Sequence, residues 1–404
     1  MFTAANLTLM IAALAGAGVF FHPRLLKSRI WRATVTPLAS IIGSGFLVAG
    51  PVLAHAAGTK AWVAMAGLCL AGYVFGAAVR FNIRHVEPLL EGKETRLTHH
   101  IERASQIVLS LAYFISVAYY ISLFSAFVLR SWGLTDPSSI RIVATIVIAM
   151  LGALGFTGGL SALERLEVAA VGLKLCIIAG LLLALCVETG VMMTGGDFNW
   201  VAPDHPHGFN ELRVVLGLMV LVQGFETSRY LGAEYDAETR VKTMRRAQWL
   251  SSAIYVSFIL LSTAFFVNGL PEQGGETAII DMLAPIGPMV APLIILAALA
   301  SQLSAAVADM NGAGGLLAEG IKQKVSTKLG DAITAAAAIL VVWTSNIYEI
   351  IAFASKAFVA YYALQSFQAC LAARRKGDMK GMTGFGALAA FALAIVIFAK
   401  AAEV

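Results

Sequence analysis

The stretch "TPLASIIGSGFLVAGP", Thr36 to Pro51, is the most informative part of this sequence. It lies in a run apolar enough to cross a bilayer, yet Gly43, Ser44 and Gly45 interrupt its middle. Leucine would serve a simple membrane anchor better here, because glycine is among the poorest helix formers. Either the small residues permit close packing between helices, or they mark a helix that is broken inside the membrane.

The composition indicates an integral membrane protein. The chain has 404 residues, of which 59% are hydrophobic and 13% charged, whereas a soluble domain has about 25% charged residues. Apolar segments of about 20 residues recur along it, the length of a membrane-spanning helix. The net charge of +5 comes from basic loops, so we expect no nucleic-acid partner. We find no catalytic constellation and no metal-ligand spacing, and we expect neither an enzyme nor a cofactor.

The hydrophobic pattern predicts an all-α protein with about twelve membrane-spanning helices. Lys and Arg concentrate in loops 80–103, 158–167, 235–248, 319–331 and 373–380, whereas alternate loops such as 188–211 and 268–278 contain none. Basic loops face the cytoplasm, so both termini are expected outside, in a bacterial-type inner membrane. The expected spans follow an initial one and cover 35–56, 61–82, 104–130, 139–157, 164–190, 211–234, 247–269, 285–318, 328–345, 347–372 and 381–400.

A second interruption matches the first. The span "VVLGLMVLVQGFETSRYLGAEYD" is broken at Gln223-Gly224-Phe225-Glu226. Two groups of five spans, each opening with a broken helix and starting on opposite sides, form an inverted repeat, which indicates a transport site near the membrane midplane. We divide the chain into an extra N-terminal span and basic loop (1–32), a first repeat (33–194), an outer loop (195–210), a second repeat (211–375) and an extra C-terminal span (376–404).

Three motifs resemble those of the amino acid–polyamine–organocation (APC) superfamily. "IIGSGF" (Ile41–Phe46) is similar to its first-span motif, and "GFETSRYLGAEYDAETRVKTMRRA" (Gly224–Ala247) is similar to its sixth-span signature. "VGLKLCIIAGLLL" (Val171–Leu183) resembles the fifth span of its sodium-independent members. The resemblance covers roughly residues 33–375 and implies a ten-span LeuT-like core.

The resemblance implies a secondary transporter of an amino acid or related amine. An unwound helix offers free amides to an anion and free carbonyls to a cation, so an amino-acid-like zwitterion uses both. The first break would hold the carboxylate of the substrate and the second its amine, with Phe225 shielding the site. The expected substrate-binding residues are Ile42, Gly43, Ser44, Gly45, Gln223, Gly224 and Phe225.

Lys174 is the most informative charge in the membrane. The resemblance implies that its ammonium replaces a sodium ion between the first, fifth and eighth core spans. Ser301 and Ser304, on the eighth core span, are not adjacent as in sodium-coupled relatives, so the sodium site is in doubt. A desolvated lysine can titrate near neutrality, which favours proton coupling, although exchange without a coupling ion is equally permitted. The alternative is that Lys174 snorkels to the cytoplasmic surface.

Four further charges lie within the spans. Asp309 and Lys356 either form structural salt bridges or take part in proton relay or substrate binding. Glu226 and Arg229, three residues apart, either pair with each other or leave Arg229 facing the site, where it would favour an acidic substrate.

Two other functions remain open at this point: a transporter of an inorganic ion or non-amino-acid osmolyte on the same fold, and a non-transporting membrane sensor or assembly subunit.

Two weak motifs are given structural interpretations. "DHPH" (Asp204–His207) is expected to be a solvated loop, and "NGAGG" (Asn311–Gly315) is expected to serve close helix packing. Membrane lipid, a proton and a small solute are therefore the expected partners.

Overall fold

The computed structural model describes residues 4–43, 45–90, 96–157, 167–196, 198, 208–268, 275–321 and 325–402. Ser44 and the "DHPH" loop lie outside the described residues. The secondary structure of the described part is helical. Its α-helices are α1 (Ala4–Phe20), α2 (Pro23–Leu26), α3 (Arg29–Ile41), α4 (Gly45–Ala57), α5 (Ala61–His85), α6 (Glu87–Leu90), α7 (Arg96–Arg130), α8 (Pro137–Thr157), α9 (Glu167–Gly195), α10 (Phe209–Leu216), α11 (Ala237–Ser262), α12 (Ile279–Leu283), α13 (Val290–Gly320), α14 (Thr327–Thr344), α15 (Ile347–Arg375) and α16 (Met379–Phe398).

The described helices agree with the predicted number of spans. Among the described residues, nine helical segments are long and apolar enough to cross a membrane, and one of these, Leu47–His85, includes most of α4 and all of α5. The remaining candidates are the 17-residue apolar helix α1 and two interrupted segments. These are α3 with α4, and α10 with the two 3-10 helices Met219–Val222 and Phe225–Tyr230.

Spans of one half pack against their counterparts in the other half. The third core span, α7, lies along the eighth, α13, while α5 packs on α11 and α8 packs on α14. The two additional spans lie at the margin of this core, where α1 packs against α9 and α16 packs against α15. This pairing is what two repeats of opposite topology are expected to give.

Glycines bring several of these helices close together. A Cβ added to Gly330 in α14 would lie 2.7 Å from the Cα of Gly314 in α13. A Cβ on Gly312 would lie 3.1 Å from a ring carbon of Tyr113 in α7. The "NGAGG" segment therefore serves close helix packing, as expected from the sequence.

Both predicted interruptions are present. In the first segment, α3 ends at Ile41, Ile42 has a non-helical ψ of 45°, and α4 begins at Gly45. In the second segment, α10 ends at Leu216, and α-helix resumes only at Ala237. Gln223 is extended there, and Gly224 has a φ of +109°. The second interruption is longer than predicted, because the chain after Gly224 forms a 3-10 helix.

Candidate functional site

Side-chain donors satisfy the carbonyl groups at the end of α3. Lys174 Nζ donates to the Ala39 carbonyl at 2.8 Å, and the Tyr255 hydroxyl donates to the Ile41 carbonyl at 2.7 Å. Ser301 Oγ contacts the next two carbonyls, those of Ile42, at 3.1 Å, and Gly43. A helix end inside a membrane needs such partners, because an unsatisfied backbone group costs several kcal/mol there. The first break is thus held open from α9, α11 and α13.

A different set of side chains holds the second break. Ser355 in α15 accepts from the Val220 amide at 2.8 Å and donates to the Gly217 carbonyl at 2.6 Å. The Gly224 amide donates to Glu226 Oε2 at 2.9 Å, and the Tyr362 hydroxyl donates to the same oxygen at 2.8 Å. These contacts replace hydrogen bonds that a continuous helix would make within itself.

Replacing Ser355 with alanine is expected to destabilise the protein measurably. The substitution leaves a buried N–H and a buried C=O without this partner, each at about 1–3 kcal/mol. Thermal unfolding of the purified protein in detergent should show a lower midpoint. Ser366→Ala is the matched control, because Ser366 lies on the same helix, is fully buried, and its hydroxyl has no hydrogen-bond partner among the described residues. Equal midpoints for the two variants would contradict this role of Ser355.

The two breaks touch each other. A Cβ added to Gly224 would lie 2.6 Å from Ser40 Oγ and 2.7 Å from the Ile41 amide nitrogen. On the other side, a Cβ on Gly45 would lie 3.0 Å from the Leu221 Cα. Glycine at these positions lets the two backbones approach directly. The structure therefore brings the predicted residues of both repeats, apart from the undescribed Ser44, into one buried region.

This region contains polar atoms with unused hydrogen-bonding capacity. Within the described part of the chain, no group hydrogen-bonds to Gln223 Oε1, Glu226 Oε1 or Ser40 Oγ. All three side chains are at most 4% exposed. Gln223 Nε2 donates to the Tyr120 hydroxyl at 2.9 Å, so the amide is oriented from α7. Buried polar groups are normally satisfied. The oxygens of Gln223 and Glu226 can therefore accept hydrogen bonds from a bound solute, and the Ser40 hydroxyl can accept or donate.

Aromatic rings form the rest of the surroundings. Tyr362 stacks between Phe225 and Phe75, with ring centroids 4.9 Å and 5.3 Å apart. All three rings are buried. Tyr120 lies against the first break, where a Cβ on Gly43 would come within 3.2 Å of its ring. Phe225 thus stacks on Tyr362, which donates to Glu226.

Comparison with known proteins identifies the family. A family model described as an APC superfamily transporter matches residues 23–399. This chain belongs to the APC superfamily of transporters. A protein of Aquifex aeolicus (strain VF5), described as uncharacterized, is 41% identical over 388 residues, which cover 95% of this chain and 94% of that protein. The chain is therefore a multi-span membrane transporter, not an enzyme.

Solved structures share the fold. Mhp1, a nucleobase-cation-symport-1 family transporter in a closed conformation with bromovinylhydantoin bound, is similar with a TM-score of 0.55 and 14% identity, covering 91% of both chains. A Na⁺-coupled sialic acid symporter in its substrate-bound outward-open state is similar with a TM-score of 0.51 and 16% identity over 100% of both chains. The LeuT-like fold predicted for this APC transporter is confirmed.

The position of Lys174 in this APC transporter excludes the snorkelling alternative. The side chain is 0% exposed, and its ammonium reaches the broken part of the first core span. Ser301 lies on the same break from α13. The Ser304 hydroxyl, one turn further along α13, has no hydrogen-bond partner among the described residues. Lys174 from the fifth core span and Ser301 from the eighth therefore both contact carbonyl groups of the first core span.

Three other expectations about charges are not met. Arg229 pairs with Glu102 at 2.8 Å and does not face the site. The expected pairing with Glu226 is wrong, because Glu226 instead binds the Gly224 amide and Tyr362. Asp309 contacts the Ser116 hydroxyl, and in the part of the chain that the structure describes neither Asp309 nor Lys356 forms an ion pair. Lys356 is half-buried on α15, next to Ser355.

Sequence reasoning missed several residues of the site. The first and second breaks are contacted by Tyr255 and Ser355, respectively. Asp309 is contacted by Ser116, and Gly224 packs against Ser40. Each of these four is an ordinary small or aromatic residue within an apolar span. The only sequence signal for these residues is a hydroxyl group within a membrane-spanning segment. That signal is not specific, because such a hydroxyl usually hydrogen-bonds to a carbonyl of its own helix.

Proposed function

We propose that this protein transports a small amino-acid-like solute by alternating access, without sodium, and with proton coupling or exchange. The solute binds between the two broken helices. The backbone at Ile42–Gly45 holds its carboxylate, and the region of Gln223–Phe225 holds its amine. The observation that carries the proposal is the ammonium of Lys174 hydrogen-bonded to the first break.

The position of Lys174 supports independence from sodium. Its ammonium supplies a positive charge at the carbonyl end of α3, and the Ser301 hydroxyl contacts the carbonyl oxygens of Ile42 and Gly43. A cation placed among these oxygens would compete with both side chains. Because a lysine ammonium can release a proton when it is desolvated, the same contact permits coupling to a proton.

The second break supports recognition of an amine. Gln223 Oε1 and Glu226 Oε1 are both acceptors without a donor in the described part of the chain. An ammonium supplies three donors and is also attracted to the faces of aromatic rings such as Phe225 and Tyr362. At the other break, α4 begins at Gly45, and the first-turn amides of a helix have no partner within the helix. These amides suit a carboxylate.

The direct test is uptake by reconstituted protein. Purified transporter in proteoliposomes would be offered labelled amino acids and amines, with and without an imposed proton gradient, in sodium-free buffer. We expect accumulation of at least one such solute without sodium, driven by the gradient or by the same solute trapped inside. An absolute requirement for sodium would contradict the role of Lys174.

The same screen distinguishes other cargoes. The Mhp1 structure has bromovinylhydantoin bound, and a second similar structure is that of a sialic acid symporter, so a hydantoin, a nucleobase and sialic acid belong in the panel. Inorganic ions and osmolytes such as betaines complete it. Uptake of one of these in place of every amino acid would refute the proposed substrate class while leaving the transporter assignment intact.

A further inference from the structure

A largely buried cluster of four charged side chains and one amide lies next to the second break, and we name it the latch: Glu87, Glu102, Arg229, Arg240 and Gln365. Arg229 is 4% exposed. Its Nη2 donates to Glu102 Oε2 at 2.8 Å, and its Nη1 donates to the side-chain oxygen of Gln365. Arg229 belongs to the 3-10 helix after Gly224, Glu102 to α7 and Gln365 to α15. One guanidinium thus joins three elements.

The rest of the latch fixes the backbone of the same segment. Arg240 binds Glu87 through both terminal nitrogens, at 3.0 Å and 2.6 Å. Its Nη1 also donates to the Arg229 carbonyl at 2.7 Å. Glu87 Oε1 in turn lies 3.8 Å from Arg229 Nε. The 3-10 helix is therefore held by its side chain and by its main chain.

A latch of this kind contributes little to stability, since the cost of desolvating buried charges roughly cancels their attraction. Breaking one partner is costly, however, because the other charge is left buried. Such a cluster thus favours the one arrangement in which all its charges are paired. Because Arg229 lies in the 3-10 helix that follows the second break, pairing of all these charges fixes one position of that helix.

A cavity of about 350 Å³ opens beside the latch. Its lining residues are Leu90, His99, Glu102, Arg103, Gln106 and Glu319. They belong to the start of α7, the end of α13 and the end of α6, next to the basic loops that we assign to the cytoplasm. The volume is at the lower end of ligand-binding cavities, which span roughly 300–1,000 Å³. Glu102 is shared, because it lines the cavity and also binds Arg229.

The latch and the candidate site are connected by a single turn. Glu226, which binds the Gly224 amide, precedes Arg229 by three residues in the same six-residue 3-10 helix. A displacement of that helix would therefore change the Arg229–Glu102 contact directly.

We infer that the Arg229–Glu102 pair is the cytoplasmic gate of the transport route, and that the cavity beside it is the vestibule through which the solute leaves. The inference rests on the proposed transport function. The transported solute must separate Arg229 from Glu102 before it passes from the breaks into the cavity. Glu87 and Arg240 hold the 3-10 helix Phe225–Tyr230 in its closed position, and they return it to that position when the solute has left.

The test measures how easily the cytoplasmic side opens, with no solute required. A cysteine replaces Ser110, which is buried on α7, between the cavity and Tyr113, and donates to the Ala313 carbonyl at 3.0 Å. The background carries alanine at Cys69, Cys176, Cys186 and Cys370. A membrane-impermeant maleimide is added from the cytoplasmic side of inside-out vesicles, and the labelling rate is recorded.

Glu102→Gln is expected to raise the labelling rate about tenfold or more, because the closed state loses its charge pairing and the open state gains population. The matched control is Glu238→Gln, since Glu238 pairs with Arg84 on the same side but has a side chain 57% exposed. That variant should label at the parental rate. A parental rate for Glu102→Gln in folded protein would overturn the gate.

A second variant tests the gate independently in case Glu102→Gln does not fold. Glu102→Gln combined with Arg229→Gln removes both charges and keeps two hydrogen-bonding amides. It should also label faster than the parent, and a parental rate would refute the gate equally. Faster labelling without any amino-acid uptake would support the gate and refute the proposed substrate class. Amino-acid uptake with unchanged labelling would refute the gate and support the substrate class.

Discussion

Gly224→Ala is expected to abolish uptake and to lower the midpoint of thermal unfolding. Gly224 has a φ of +109°, and an L-residue in a left-handed conformation costs about 1–2 kcal/mol. The added methyl would also lie 2.7 Å from the Ile41 amide nitrogen, where relief requires a backbone shift. Overpacking of this kind costs about 1–3 kcal/mol.

The matched control is Gly67→Ala in α5. Gly67 is exposed, and a Cβ there meets nothing within 4 Å in the described part of the chain. Alanine in a helix is favoured over glycine by roughly 0.5–1 kcal/mol, so this variant should unfold at or above the parental midpoint and transport normally. If Gly224→Ala behaved like Gly67→Ala, the close contact between the two breaks would be disproved.

Lys174→Met is expected to reduce net uptake by about tenfold or more, which corresponds to roughly 1.4 kcal/mol. Methionine keeps an unbranched side chain but provides no charge and no donor for the Ala39 carbonyl. The first break then loses the contact that links it to the fifth core span. Initial uptake rates in proteoliposomes, normalised to the amount of folded protein, measure the effect.

Lys60→Met serves as the control, because Lys60 is exposed at the end of the short 3-10 helix that precedes α5. It should leave uptake unchanged. Lys174→Met should also lose its response to an imposed proton gradient if the ammonium carries the coupled proton. Full uptake by Lys174→Met would restrict this residue to a packing role.

The positions of the breaks were readable from the sequence because their cause is local. Glycines in the middle of two otherwise apolar spans oppose helix formation wherever they occur. The spans themselves follow from length and hydrophobicity, since lipid requires a backbone that satisfies its own hydrogen bonds. The order of the two breaks, five spans apart, then indicates the inverted repeat.

The partners of the intramembrane charges were not readable because they depend on distant parts of the chain. Arg229 and Glu226 lie at a spacing that permits a pair, yet Arg229 meets Glu102, which is 127 residues away in the sequence. The conformation after Gly224 is a 3-10 helix, so the helical geometry behind the local expectation does not apply. Ser355 likewise contacts a backbone 135 residues away, and no local pattern marks it.

The most direct test of the proposed site is a structure of the transporter bound to the solute that the uptake screen identifies. We expect density for that solute between the two breaks, within hydrogen-bonding distance of the backbone at residues 42–45 and of Gln223 or Glu226. Density elsewhere, with residues 41–46 and 222–227 wound into continuous α-helix, would contradict the proposal that the broken helices bind the solute.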